Sequence, residues 1–224
     1  MSDFPIAFPA AWYDGNCHLC PRLTGFLDEV RRKYPGYHAA PVPPFGAWEA
    51  RLLVVGLAPG LHGANATGRP FTGDHAGILL YETLHRFGFA SAPVSLGRGD
   101  GLELRGCRIT NAVKCVPPAN KPLGSEAINC NPYLKAELGN LAPEAVILAL
   151  GRVAHGAVLQ ALDLKGRDYP FGHGRAHPLP DGRRLLDSYH CSRYNTQTGR
   201  LTAVMFQEVV GEARQWLVDR QTSG

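Results

Sequence analysis

Four short apolar runs punctuate the chain, and helical patterns fill the stretches between them. Arg51-Leu52-Leu53-Val54-Val55-Gly56 is almost wholly apolar, as a strand at the centre of a sheet covered on both faces must be. Cys107 to Val113, Ala145 to Leu150 (closed by Gly151) and Arg184 to Tyr189 read as three more strands. Helical spacing places Leu23, Phe26, Leu27 and Val30 on one face of Leu23 to Lys33. The same spacing recurs in Ile78, Leu79, Tyr81, Leu84 and Phe87, and in Val153, Ala154, Ala157, Val158 and Leu162. A closing helix carries Phe206, Val209, Val210, Ala213 and Leu217 as one stripe.

Strands alternating with helices predict an α/β fold: a central, mostly parallel four-stranded sheet flanked by helices on both faces. No internal repeat, low-complexity tract or linker divides the chain, so residues 1–224 are expected to form a single domain. Polar and glycine-rich segments follow the strands directly: Gly56 to Gly60, Asn111, and His190 to Asn195. In an open parallel sheet the carboxyl-side loops share one edge, where ligands bind. Residues distant in sequence thereby fall on one candidate surface.

Composition adds little to the fold and something to the setting. The chain is 45% hydrophobic and 19% charged, with a formal net charge of +4, which suits a polyanion partner without naming one. No N-terminal stretch has the layout of a signal peptide, and no segment has the apolar length to cross a bilayer. The expected setting is a reducing, cytoplasmic one with no membrane partner, where thiols serve metals more readily than disulfides. Three disulfides in an exported protein are the alternative use of the six cysteines.

Cys17-His18-Leu19-Cys20, with Cys115 and Cys130, offers four thiolates; Cys115 follows a strand and Cys130 precedes a helical stretch. Zinc and a [4Fe–4S] cluster both accept such a set. Cys107, inside its strand, reads as a small buried hydrophobe.

Gly56-Leu57-Ala58-Pro59-Gly60 lacks the lysine and hydroxyl of a P-loop and the spacing of a dinucleotide loop. It suits either close backbone approach to a ligand or a sharp turn. Thr67 to Gly77 brings Phe71, Asp74 and His75 within five residues. Phe71 is a candidate stacking platform, and Asp74 a candidate to orient water or stabilise a cation, or a helix N-cap. His75 reads as a loop residue.

Asn111 carries a donor and an acceptor on one amide and can read a base edge or satisfy loop backbone. His190 can donate to an oxygen gaining negative charge. His62, His155, His173 and His177 have no comparable placement. Arg69, Lys114, Lys121 and Arg193 fall in the loops of the ligand edge and are the candidate phosphate contacts.

In combination these pieces resemble the iron–sulfur-containing uracil-DNA glycosylases, most closely the broad-specificity branch called family 5, or type B. The matching segments are the four cysteines, Gly56 to Gly60, Thr67 to Gly77, Thr110-Asn111-Ala112-Val113-Lys114-Cys115 with Pro117-Pro118-Ala119-Asn120, and His190-Cys191-Ser192-Arg193-Tyr194-Asn195. The resemblance implies a structural [4Fe–4S] cluster held by Cys17, Cys20, Cys115 and Cys130, with zinc as the alternative occupant. It also implies a monofunctional glycosylase that flips a damaged nucleotide from double-stranded DNA and leaves an abasic site. Phe71 takes the base-stacking position, Asn111 the base-edge position, and His190 that of the histidine facing the uracil O2. Gly56, Ala58, Gly60, Ser192, Arg193 and Asn195 fall on the substrate side.

Two positions depart from the pattern. Leu57 stands where relatives specialised for uracil carry glutamate, so the carboxylate task passes to Asp74, with Asn120 as a second candidate. That departure fits the branch that accepts hypoxanthine and ethenocytosine beside uracil. Cys191 stands where relatives have proline. The expected enzyme is a monomer, associated with the nucleoid through its DNA substrate. The rival expectation is a catalytically weak or inactive damaged-DNA-binding protein of the same fold.

Overall fold

The computed structural model describes residues 8–222; residues 1–7 and 223–224, the ends of the expected 1–224 domain, lie outside them. The strands are β1 (Phe45–Gly46), β2 (Leu52–Gly56), β3 (Cys107–Asn111), β4 (Val146–Leu150), β5 (Ala176–Pro178) and β6 (Arg184–Ser188). They form one sheet in the order β1-β3-β2-β4-β6-β5. The four apolar runs are its inner strands and are parallel, with Val54 beside both Ile109 and Leu148, and Ile147 beside Leu185. The sheet is nevertheless six strands wide and mixed, because β1 and β5 pair antiparallel at its edges. Strands of two and three residues are too short to carry a periodic signal.

The helices are α1 (Pro21–Lys33), α2 (Ala64–Thr67), α3 (His75–Arg86), α4 (Gly124–Gly139), α5 (Arg152–Ala161), α6 (Arg193–Gln197) and α7 (Ala203–Thr222). Every residue of β2, β3 and β4 is buried, because helices cover both faces. Leu52, Val54, Ile109 and Leu148 share a core with Leu80 and Leu84 of α3 and Phe206 and Val210 of α7. Leu53, Val55, Ile147 and Ala149 pack with Leu134 and Leu138 of α4 and Ala154 and Val158 of α5. Alternate residues of each strand thus feed two separate cores.

Cys130 lies inside α4 and not ahead of a helical stretch. Pro132, two residues on, hides this helix from a reading of the sequence, since an interior proline cannot complete the bond to the carbonyl four residues back. Arg22 of α1 reaches Glu126 of α4 in a two-pronged pair, with both N–O distances 2.7 Å. That pair brings Cys20, at the head of α1, to the same side as Cys130. No described helix is long and apolar enough to cross a membrane.

Candidate active site

The site grows from the carboxyl ends of neighbouring parallel strands. Gly56 closes β2 directly beside Asn111, which closes β3. A Cβ at Gly56 would collide with Asn111 Oδ1 and stand 2.6 Å from Phe71 Cζ. The glycine is therefore required by two of the protein's own side chains converging on the strand end. Asn111 is 3% exposed, and its Oδ1 has no hydrogen-bond partner. An unsatisfied buried acceptor costs about 1–3 kcal/mol, so this oxygen is poised for a donor from a ligand. It does not satisfy loop backbone.

Phe71 is buried with a left-handed backbone, φ 54°. Its neighbours hold that conformation. Tyr81 Oη donates to the Pro70 carbonyl at 2.8 Å, the Thr72 and Ser95 hydroxyls are 2.7 Å apart, and Arg69 grips Asp100 at 2.8 Å. The Phe71 ring stacks on the His190 imidazole with centroids 5.8 Å apart. His190 is half-buried, and burial pushes its pKa down to about 4. At neutral pH the ring is uncharged and donates from one nitrogen only.

Asp74 fills both roles considered for it. Its Oδ1 accepts from the Gly77 amide at 3.0 Å, capping α3. The carboxylate also abuts the turn after the glycine loop, since a Cβ at Gly63 would stand 2.8 Å from Oδ2. Burial raises its pKa, opposed by the Gly77 and Ala76 amides and by His75. Ala58 and Gly60 are half-buried along that loop.

Ser192 accepts from the Asn195 amide at 3.4 Å to cap α6, and Asn195 Nδ2 donates to the His190 carbonyl at 2.8 Å. Both side chains thus shape the loop around His190, while Arg193 is exposed and Tyr194 is 70% exposed. Asn120 is exposed in a left-handed turn, φ 55°. Among the described residues, no side-chain hydrogen bond joins it to Gly56, Phe71, Asn111 or His190.

The basic set needs correction. Arg69 is buried, bonded to Asp100 and stacked 4.3 Å over the Phe45 ring. Lys114 is buried with its Nζ 2.6 Å from Glu137 Oε1. Only Lys121 and Arg193 of the four expected phosphate contacts are exposed. The partners lie 31 and 23 residues away in sequence, where no local pattern shows them.

Sequence reasoning also missed an adjoining cavity of about 240 Å³, where Arg152, Phe171, Tyr189 and Arg200 face His190. Arg152 directly follows β4 and Gly151, so the strand-end rule was the available signal. Below the site, Asp187 accepts from His155 at 2.7 Å and lies 3.4 Å from His177, which gives these two histidines a structural place.

Cys17, Cys20, Cys115 and Cys130 line one small cavity together with Val113 and Lys114. The Lys114 amide donates to Cys130 Sγ at 3.3 Å, and Asn129 Nδ2 to Cys20 Sγ at 3.6 Å. Burial pushes the Cys115 thiol up to about 12 and Cys130 to about 11, with the other thiolates adding repulsion. Four thiols lining one cavity are a donor set that could hold either zinc or an iron–sulfur cluster. Cys107 and Cys191 are fully buried elsewhere.

Residues 43–214 match the family model described as the uracil DNA glycosylase superfamily. A type-5 uracil-DNA glycosylase of Thermus thermophilus is 52% identical over 203 residues, covering 88% of this chain and 92% of the relative. One of Pyrobaculum aerophilum is 43% identical over 215 residues, covering 92% and 93%. A type-4 uracil-DNA glycosylase of the same organism is 35% identical over 163 residues, 69% of each chain. The matched region takes in all six strands together with Gly56, Phe71, Asn111 and His190, and the chain belongs to the uracil DNA glycosylase superfamily, within its type-5 branch.

Proposed function

We propose that the protein is a monofunctional DNA glycosylase. It hydrolyses the N-glycosidic bond of uracil, and of deaminated or modified bases such as hypoxanthine and ethenocytosine, in double-stranded DNA, leaving an abasic site. The observation that carries the reading is the unpartnered, buried Asn111 Oδ1 beside Gly56, Phe71 and His190, in a chain of this family.

In this mechanism the exposed segment at Arg193 and Tyr194 fills the gap left by the extruded nucleotide. Phe71 packs on the base, and Asn111 accepts from and donates to its edge. As the C1′–N bond breaks, its electron pair leaves with the base, and neutral His190 donates a hydrogen bond to the base oxygen gaining charge. Asp74 serves the cationic sugar and the water that adds to C1′. With Leu57 in the glycine loop, no carboxylate stands there to share this task. Asn120 is a further candidate to orient that water, through a rearrangement of its exposed turn.

Cys17, Cys20, Cys115 and Cys130 would hold a [4Fe–4S] cluster, a reading supported by the four thiols lining one cavity in a chain that resembles the iron–sulfur-containing uracil-DNA glycosylases. When bound, the cluster supplies a structural cross-link between the N-terminal segment, the loop after β3 and α4. The enzyme acts as a monomer on nucleoid DNA.

The test is excision by purified protein from duplexes carrying uracil, hypoxanthine, xanthine or ethenocytosine, followed by alkaline cleavage at abasic sites. Cleavage of the uracil duplex is expected. Tight binding without product would instead favour the inactive DNA-binding protein of the same fold. Iron with an absorbance band at about 400 nm is expected for the cluster; zinc without that band would overturn it.

A further inference from the structure

His75 Nε2 lies 2.9 Å from Thr196 Oγ1, across 121 residues of sequence. Among the described residues this is the one side-chain hydrogen bond between the Asp74 segment and α6. Thr196 Oγ1 also lies 3.2 Å from the Ser192 carbonyl and 3.1 Å from the Arg193 carbonyl. A threonine hydroxyl carries one proton, and those carbonyls only accept. The hydroxyl therefore gives its proton to them and takes the third bond from the His75 Nε2–H.

Each end of this bond belongs to a working part of the site. His75 is the first residue of α3, next to Asp74, whose carboxylate caps that helix. Thr196 sits in the five-residue helix α6 beside Arg193 and Tyr194. A helix so short has little stability of its own, so its placement depends on such ties.

We propose that His75 is a positioning residue for base excision: its bond to Thr196 sets the Asp74 carboxylate relative to the segment that fills the DNA gap. The proposal rests on the reading of Asp74 and α6 given above. Docking of α6 in the duplex is thereby transmitted to the carboxylate beside the sugar.

The test is single-turnover excision from a uracil duplex by wild type, His75→Ala, Thr196→Val, the double variant and Thr196→Ser, with Asp74→Ala alongside. His75→Ala and Thr196→Val each lower the rate at saturating protein about tenfold. The double variant is no slower than either, because both remove one bond. The protein concentration giving half the maximal rate changes less than about twofold. Thr196→Ser, which keeps the hydroxyl, restores the rate. Full rate in Thr196→Val, an additive loss in the double variant, or a Thr196→Ser as slow as Thr196→Val overturns the tie alone. Wild type without excision, or Asp74→Ala at full rate, overturns instead the reading on which it rests.

Discussion

The His190 imidazole lies against the Phe71 ring, centroids 5.8 Å apart and planes 28° from parallel. This pair brings the loop after β6 onto the loop before α3, and it keeps one face of the histidine from water. Burial is the physical cause of its lowered pKa, and that lowering decides which protonation state meets the substrate.

Because the folded-state value is about 4 against an ordinary 6.5, excision shows no His190 inflection near 6.5 and declines only toward the lower value. Between those values the unfolded chain binds a proton that the folded chain refuses, so His190 makes stability rise with pH there. His190→Ala lowers single-turnover excision about a hundredfold. A wild-type rate profile with an inflection near 6.5 that disappears in His190→Ala overturns the neutral-donor role.

Asp74→Asn separates the two duties of that carboxylate. The amide oxygen still accepts from Gly77, so urea denaturation shows a change within about 0.5 kcal/mol. The lost charge lowers excision about a hundredfold. Asp74→Ala also removes the cap and costs about 1 kcal/mol of stability. If Asp74→Asn excises uracil as fast as wild type, the carboxylate is only a cap.

Gly56→Ala places a methyl 2.6 Å from Phe71 Cζ. The ring and Asn111 must move, at an overpacking cost of about 1–3 kcal/mol. Excision falls about tenfold or more as the base site shifts, and the melting temperature falls with it. An unchanged rate would show that the base is held elsewhere.

Arg193 and Arg69 give opposite signatures. Arg193→Ala weakens binding to damaged and undamaged duplex alike and lowers the salt-dependence slope by about 0.9, with stability unchanged. Arg69→Ala leaves Asp100 without its partner and costs about 1–3 kcal/mol of stability, with the salt slope unchanged. Against burial that raises it, Arg69 and the Leu102, Leu96 and Gly97 amides hold the Asp100 carboxyl down to about 2 from 3.8. Stability from this pair is full above 3.8 and is lost as pH falls through about 2, so the two proteins converge in acid unfolding curves.

Much of the frame is legible in the residues. A strand covered on both faces has no place for exposed polar groups, and β2 and β4 are accordingly unbroken apolar runs. Edge strands leave no such mark, so β1 and β5 emerge only from their pairing with β3 and β6. Pro132 masks α4, because its propensity argues against the helix that packing maintains. Gly56, Phe71, Asn111, Asp74 and His190 are recognisable by residue type and by their place after strands or before a helix. Their mutual contacts are not.

The sequence by itself determined the inner strands, the loops that share their carboxyl edge and the residue types available there. Tertiary structure alone decided which of those residues face a ligand and which face another part of the protein. Arg69 and Lys114 look like Arg193 in the chain, yet Asp100 and Glu137 bury and neutralise the first two. Local periodicity records which side of an element is apolar. A charge partner or a neighbouring ring is a long-range relationship, and only the assembled fold specifies it.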